Sequence, residues 1–435
     1  MREFPAPELE KVLRAVCENP HSSFYRGQLG NIESSFPLTV HHWQRIPAMP
    51  RTDAINTPLW ERMFVAREDV HYIRNSYGTS GKGILITPRV SYGEYTDPYA
   101  RLGVTRILNF FASAHFDFPQ AHNGVVSLFG DVADLKFAAH IAKRMGIDGI
   151  YLAPFSALVF GDLLKEQGIA HTIKMVQLCG ERCSPLQFDI LKKQYPNAAI
   201  ISNYSSSETR EAVAFPCIHS LTAPGSLAIE PVSHFYCEIL DPETGKPIEK
   251  DGVYGELALT TLSPTIPFPL VRYLTGDVAA YVKRDCGCDR HSRAFEIIGR
   301  MTVFPVRLVK GELKIAAVEE ALNSLGVVSQ YFEVHYTDEA VETKALPRVS
   351  ISLVRAGNTP DAAVLARAIE KKLRVFPTYT YAQGVEAGLY LPLTISFIEQ
   401  PQGSPSGKGL TPIVVRHIAG DEASTRSGSG LGARV

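Results

Sequence analysis

Apolar and polar positions alternate along the middle of the chain in a way that separates short strands from amphipathic helices. Val125-Val126-Ser127-Leu128-Phe129 reads as a strand, Ala133 to Met145 as a helix and Gly149-Ile150-Tyr151-Leu152 as a strand. Ser156 to Gln167 then reads as a helix, Ile173 to Leu178 as a strand, Pro185 to Gln194 as a helix and Ala198 to Ser202 as a strand. Strands separated by whole helices need crossover connections, so this stretch predicts a largely parallel sheet. Such sheets bind ligands beyond the carboxyl ends of their strands. That rule marks two loops, Cys179-Gly180-Glu181-Arg182 and Asn203-Tyr204-Ser205-Ser206-Ser207-Glu208.

The flanks read differently. Leu9, Val12, Leu13 and Val16 have helical spacing before the stop Asn19-Pro20. From His21 to Asp69 the pattern is irregular and predicts a wrapping segment with no core of its own. Tyr92 to Ala114 predicts one amphipathic helix carrying Tyr99, Leu102, Ile107, Phe110 and Phe111. After Ala223, short strands with turn signals (Asp241-Pro242, Thr244-Gly245, Asp251-Gly252) predict an antiparallel sheet or distorted barrel. Beyond Ile298-Gly299-Arg300, strands over 306–309, 331–336, 348–354 and 393–398 and helices over 316–325 and 362–376 predict a small α+β domain. The expected organisation is an α/β domain over 1–299, an α+β domain over 300–420 and a disordered Ser/Gly/Arg-rich tail over 421–435.

Before the parallel stretch lies Asn75-Ser76-Tyr77-Gly78-Thr79-Ser80-Gly81-Lys82-Gly83, between a β-type run (Val70 to Arg74) and the apolar run Ile84-Leu85-Ile86. Glycines let backbone N–H groups turn toward an anion, and hydroxyls and Lys add donors and charge, so the stretch reads as a phosphate cradle. It is not a Walker A loop, because only Thr79 and Ser80 separate Gly78 from Gly81 and Gly83 follows Lys82. Taken alone it is equally an ordinary Gly/Ser hairpin turn.

Composition narrows the classes. The 435 residues carry 44 Lys and Arg against 45 Asp and Glu, a formal net charge of −1, which argues against a nucleic-acid footprint. No apolar run reaches the ~18 residues of a membrane span, and the amino terminus lacks a signal-peptide core, so a cytoplasmic setting is expected. The seven cysteines should then be mostly reduced.

Four stretches, 75–83, Asn203 to Glu208, Tyr273-Leu274-Thr275-Gly276-Asp277 and Gly299-Arg300, occur in an order that resembles the adenylate-forming superfamily of acyl-CoA synthetases, luciferases and nonribosomal-peptide adenylation domains. Ser23-Phe24-Tyr25-Arg26 before Ile46-Pro47, Asp241 to Gly245, Gly255 to Leu262 and Arg272 to Asp277 resemble its phenylacetate–CoA ligase branch, and the likeness runs over roughly residues 20 to 415.

The resemblance implies an enzyme that joins a carboxylic acid to ATP, releases pyrophosphate, and passes the acyl group to coenzyme A, with a small mobile carboxyl-terminal domain and a homodimeric assembly. It implies that Ser76, Gly78, Thr79, Ser80, Gly81 and Lys82 hold the ATP phosphates and that Glu208 holds Mg²⁺. Tyr204, with Asn203, Ser205 and Ser207 around it, would lie on the adenine, which Gly180, Glu181 and Arg182 would line. Asp277 would accept the ribose hydroxyls, and Arg300 would sit at the hinge and reach the ATP. Lys408, in Gly403-Ser404-Pro405-Ser406-Gly407-Lys408-Gly409, would meet the carboxylate and the α-phosphate, so Lys408, Glu208 and Lys82 are the expected catalytic residues. Cys286-Gly287-Cys288 resembles that branch's Cys-rich segment, and Cys217, His219, Cys286 and Cys288, with His291 as substitute for His219, form a candidate structural Zn²⁺ clip. Reduced cysteines buried in packing are the alternative.

The sequence departs from that pattern where Met301-Thr302-Val303-Phe304 replaces an acidic pair after Arg300, where Tyr77 replaces Ser or Thr, and where Gly225-Ser226-Leu227 replaces Gly-x-His. An aromatic acid is the expected substrate, from the resemblance and from Tyr151, Phe155 and Phe160. A carrier protein or an amine is the alternative acceptor, and a nucleotide-binding module without turnover is the alternative class.

Overall fold

In the computed structural model the residues described are 4–19, 23–29, 32, 36–64, 74–75, 85–86, 98–111, 125–180, 182–183, 185–206, 208–209, 212–217, 227–262, 269–283, 293–300, 306–308, 312–313, 315–327, 332–341, 344–354, 360–376, 378–398 and 415–417. The chain divides into two compact units, and the described residues of the first all lie within Met1–Arg300.

In the first unit, β1 (Arg74–Asn75) and β2 (Leu85–Ile86) pair antiparallel, Asn75 opposite Leu85, so the glycine stretch connects the arms of a hairpin, as the strand-to-strand reading expects. Five strands then form a parallel sheet. They are β3 (Arg106–Asn109), β4 (Val126–Phe129), β5 (Gly149–Leu152), β6 (Met175–Leu178) and β7 (Ala199–Ser202), in the order β4-β3-β5-β6-β7. Every residue of β5 and β6 is buried, as expected of a parallel sheet covered on both faces. Helices Leu135–Met145, Pro154–Glu166 and Pro185–Gln194 contribute to the core on one face, with Ile150, Leu152, Val176 and Leu178. Tyr151, Met175 and Ile201 join Tyr99, Ile107 and Phe111 in a second cluster.

β3 corrects the helix expected over 92–114. Among the described residues of that range, the helix covers only Pro98–Arg101, Gly103 turns the backbone at φ +62°, and Arg106–Asn109 runs as an internal strand. A short apolar run such as Ile107-Leu108 fits a buried strand and a helix face equally well, so periodicity misleads here.

Asp148 fixes the start of that strand. It accepts hydrogen bonds from the Thr105 amide (3.0 Å), the Arg106 amide (2.8 Å) and the Thr105 hydroxyl (2.9 Å), and Lys174 Nζ lies 3.1 Å away. Burial alone would raise its titration point, but the amide bonds from Arg106 and Thr105, with Lys174, hold it below the usual carboxylate value. Its contribution is therefore present above about pH 4 and lost as pH falls through the depressed folded value. Asp148→Ala should destabilise this unit by about 2–3 kcal/mol, read as a lower denaturation midpoint at neutral pH, with the gap to wild type closing in acid.

β8 (Tyr204–Ser205), β9 (Ala212–Phe215) and β10 (Glu230–Pro231) form a small antiparallel sheet. β11 (Phe235–Leu240), β12 (Tyr254–Thr261), β13 (Tyr273–Tyr281) and β14 (Phe295–Arg300) form an antiparallel sheet in that order, as the turn signals after Ala223 predict. The helix Ala6–Glu18 buries Leu9, Val12, Leu13 and Val16, the four residues picked out by spacing.

The segment expected to wrap without a core of its own adds its side chains to the core of the antiparallel sheet. Tyr25, Trp43, Ile46, Met49 and Ala54 pack in the same cluster as Phe235, Leu257, Tyr273 and Phe295 of the antiparallel sheet. Met49 pairs parallel with Tyr273, its amide donating to the Arg272 carbonyl and its carbonyl accepting from Leu274, each at 2.9 Å. Tryptophan, tyrosine and methionine scattered at irregular spacing carry no periodic signal, which is why sequence pattern misses this core.

In the second unit, Phe332–Val341 and Lys344–Val354 form a long antiparallel pair, flanked by Val415–His417 and Thr394–Ile398 in parallel. Helices Ile315–Ser324 and Ala362–Lys372 match the sequence reading. The second ends four residues before Phe376, because Arg374–Phe376 pairs with Tyr379–Thr380.

Candidate active site

Two segments of the first unit carry the expected nucleotide residues, and local structure places each. Asn203 follows β7 at its carboxyl end, β8 presents Tyr204, and the turn after it presents Glu208. The other segment is an irregularity inside β13. Against β12, Leu274 pairs with Ala258 and Val278 with Glu256, so Thr275, Gly276 and Asp277 face the single residue Leu257. This is a bulge. Gly276 adopts φ +74°, which a side chain would resist, and its amide donates to Glu256 Oε1 (3.0 Å). The Thr275 hydroxyl donates to the Leu257 carbonyl (2.9 Å) and accepts from the Asp277 amide (3.0 Å). Asp277 is thereby held out of the regular ladder, opposite Arg300 on β14.

Side chains join the two segments. The Tyr204 hydroxyl donates to Asp277 Oδ2 (2.7 Å), and the Tyr273 hydroxyl donates to Glu208 Oε1 (2.8 Å). Arg51 Nη2 lies 3.5 Å from the same Glu208 oxygen, and its Nη1 is 3.5 Å from the Thr275 carbonyl. The Met49–Tyr273 pairing sets Arg51 there, at the start of helix Arg51–Asn56. Burial first, and then the Glu208 charge, push the Tyr273 phenol far above its ordinary titration point, so it stays a proton donor. Burial pulls Arg62 down, while Tyr273, Tyr25 and Glu208 oppose that shift. Glu256 is raised by burial, opposed by the Gly276 amide and reinforced by Asp277.

A hydrogen-bonded chain crosses the carboxyl ends of β6 and β7. Tyr99 donates to Gln177 (2.5 Å), Gln177 to Asn203 (3.0 Å) and Asn203 to Cys179 Sγ (3.3 Å), with Ser205 Oγ 2.8 Å from that sulfur. Gly180 follows at φ +83°, with Phe111 so close that an added Cβ would lie 3.3 Å from its ring. Arg182 is the charge that offsets part of the burial-driven rise at Glu296.

Of the sequence-derived set, Asn203, Tyr204, Ser205, Glu208 and Asp277, with the backbone of Arg300, are brought together by these bonds and pairings, and Gly180 and Arg182 follow the neighbouring strand end. Ser76, Gly78, Thr79, Ser80, Gly81, Lys82, Glu181, Ser207 and Lys408 lie outside the described residues. So do His219, Cys286, Cys288 and His291; Cys217 is buried, and among the described residues no cluster of three or more His, Cys, Asp or Glu could hold a metal ion. Phe160 corrects the aromatic reading, because it packs on Phe110 (centroids 5.1 Å) in the helix-covered core. Tyr151 belongs to the cluster of Tyr99 and Phe111, its ring 4.9 Å from that of Phe111. Arg51 and Gln177 are site residues that sequence pattern misses. Tyr273 and Glu208 each lie in a stretch that the sequence marks, but the hydrogen bond between them is visible only in the structure.

The fold built around this site has known counterparts. No protein-family model matches the chain. It is similar to the solved 2-hydroxyisobutyryl-CoA ligase in the postadenylation state in complex with 2-HIB-AMP, with a TM-score of 0.69 at 14% identity over 97% of this chain and 90% of that one. It is also similar to O-succinylbenzoate–coenzyme A synthetase of Bacillus subtilis in complex with AMP, with a TM-score of 0.52 at 15% identity over 78% and 67%. The chain therefore has the fold of the adenylate-forming enzymes.

Over part of its length its sequence is similar to phenylacetate–coenzyme A ligases. It is 31% identical over 121 residues to that enzyme of Thermus thermophilus and 32% identical over 185 residues to that of Pseudomonas putida. The matched stretches span 26% and 40% of those relatives, and 27% and 40% of this chain.

Proposed function

We propose that this protein is an ATP- and Mg²⁺-dependent acid–CoA ligase of the AMP-forming type. The observation that carries the reading is the direct hydrogen bonding between the Tyr204–Glu208 and Tyr273–Asp277 segments beside the carboxyl end of the parallel sheet. Adenylation gathers a carboxylate and a triphosphate, so the site must orient a nucleotide and neutralise crowded negative charge. Asp277, an acceptor-only carboxylate, suits the ribose hydroxyls, and the Tyr204 ring suits the adenine face. The buried Glu208 carboxylate suits Mg²⁺, which takes carboxylate and phosphate oxygens and would neutralise phosphate charge.

The carboxylate oxygen of the acid attacks the α-phosphorus, and the bond to the departing pyrophosphate breaks. The coenzyme A thiol then attacks the acyl carbon and expels AMP. In this reading Ser76 to Lys82 hold the departing phosphates and Lys408 meets the acid and the α-phosphate. The partial likeness to phenylacetate–coenzyme A ligases supports an aryl acid as substrate.

The test is acid-dependent exchange of labelled pyrophosphate into ATP over a panel of aryl and aliphatic acids, followed by AMP release with coenzyme A, carrier protein or amine as acceptor. Exchange with aryl acids and coenzyme A-dependent release are the expected results. Failure with the whole panel refutes the reading.

A further inference from the structure

The two hydrogen bonds that join the site segments are reciprocal. Tyr204 stands four positions before Glu208 and Tyr273 four positions before Asp277, and each tyrosine donates to the carboxylate of the other segment. We propose that Tyr204 and Tyr273 are positioning residues, forming a crossed phenol–carboxylate clamp that sets Asp277 for the ribose and Glu208 for the metal. The proposal rests on the ligase reading above.

Geometry supports two distinct arms. Tyr204 takes Asp277 Oδ2, while Tyr273 and Arg51 both approach Oε1 of Glu208, so Oε2 is the oxygen assigned to the metal. A phenol donating to a carboxylate makes a strong, directional bond without adding charge to the site. All four side chains are buried, where hydrogen bonds are stronger and an unbonded carboxylate is costly. Neither arm is local in sequence. The Tyr204 arm ties β8 to the bulge in β13 and the Tyr273 arm ties the start of β13 to the turn after β8, so the spacing between Glu208 and Asp277 is set from both ends.

The two arms predict different defects. Tyr204→Phe keeps the aromatic face and removes the hydroxyl that orients Asp277. Tyr273→Phe keeps the packing and removes the hydroxyl that orients Glu208. Calorimetric binding to the full-length protein without acid substrate would compare ATP, 2′-deoxy-ATP and 3′-deoxy-ATP across a Mg²⁺ titration, with a thermal melt of each variant.

Wild type should prefer ATP over the deoxy analogues by about tenfold or more, the scale of a hydrogen bond to a charged group. Tyr204→Phe should lose most of that preference while its Mg²⁺ requirement holds. Tyr273→Phe should raise the half-saturating Mg²⁺ concentration by about three- to tenfold with ribose preference intact. A uniform loss of affinity for all three nucleotides, or none, in variants that melt like wild type would overturn the clamp and leave the ligase reading standing. If a variant melts lower, ribose preference and Mg²⁺ requirement are read at a temperature where it is folded, and the same two outcomes decide. Wild type that binds no ATP would overturn the ligase reading, and the clamp with it.

Discussion

Glu208→Gln should lower acid-dependent pyrophosphate exchange by about 10²–10³, the scale for loss of one preorganised charged group at a site of developing charge. Gln preserves the side-chain length and leaves a carbonyl oxygen to accept the Tyr273 hydroxyl now bound at 2.8 Å. What it removes is the negative charge proposed to draw the metal to the phosphates. The loss should therefore fall on the rate and on the Mg²⁺ requirement, with the melting temperature close to that of wild type. Arg51 adds a second signature. Its guanidinium now faces Glu208 from 3.5 Å, and in the variant it faces a neutral amide. Exchange that is unchanged over a full Mg²⁺ titration would remove Glu208 from the site chemistry.

Arg272→Met should cost about 3–5 kcal/mol of stability, the usual penalty for stranding one partner of a buried ion pair. Arg272 is 2% exposed and Glu238 4% exposed, with Arg272 Nε 3.4 Å from Glu238 Oε2. The guanidinium also donates to the carbonyls of Ile46 and, at 3.4 Å, Gln44, tying the amino-terminal segment to the antiparallel sheet. Burial raises Glu238 above the usual carboxylate value, and the Arg272 charge holds part of that rise back. Without Arg272 the folded value should climb further. A carboxyl raised on folding favours the folded state below its unfolded value and disfavours it as pH rises through the folded one. The Arg272→Met deficit should therefore be smaller near pH 5 than near pH 8, and Glu238→Gln on the same background should recover part of it. Denaturant unfolding at the two pH values reads this directly, and a deficit independent of pH would show that lost packing dominates.

The parallel sheet was legible because crossover helices leave an unmistakable alternation between Val125 and Ser202, and the antiparallel sheet because turn residues punctuate it. β3 was not, because four residues of internal strand leave no period to count. The site segments were legible as ordered stretches, Glu208 in a loop that the strand-end rule marks and Asp277 in a stretch that the family likeness names. Other residues around them were not. Arg51 becomes a site residue only because Met49 pairs beside Tyr273, a contact between distant parts of the chain. Gln177 sits within an apolar strand, where a single amide reads as tolerated polarity until its bonds to Tyr99 and Asn203 are seen. Asp277 could be read as a turn residue after Gly276. It is the exit of a bulge inside a nine-residue strand, and that geometry depends on Glu256 and Leu257 of the neighbouring strand.

The measurement that bears most directly on this account is a crystal structure of the protein grown with Mg²⁺ and a non-hydrolysable ATP analogue. One nucleotide is expected, with its ribose on Asp277, its adenine against Tyr204 and its phosphate-bound metal on Glu208. A nucleotide that contacts only one of these three residues, or that lies elsewhere on the molecule, would contradict it.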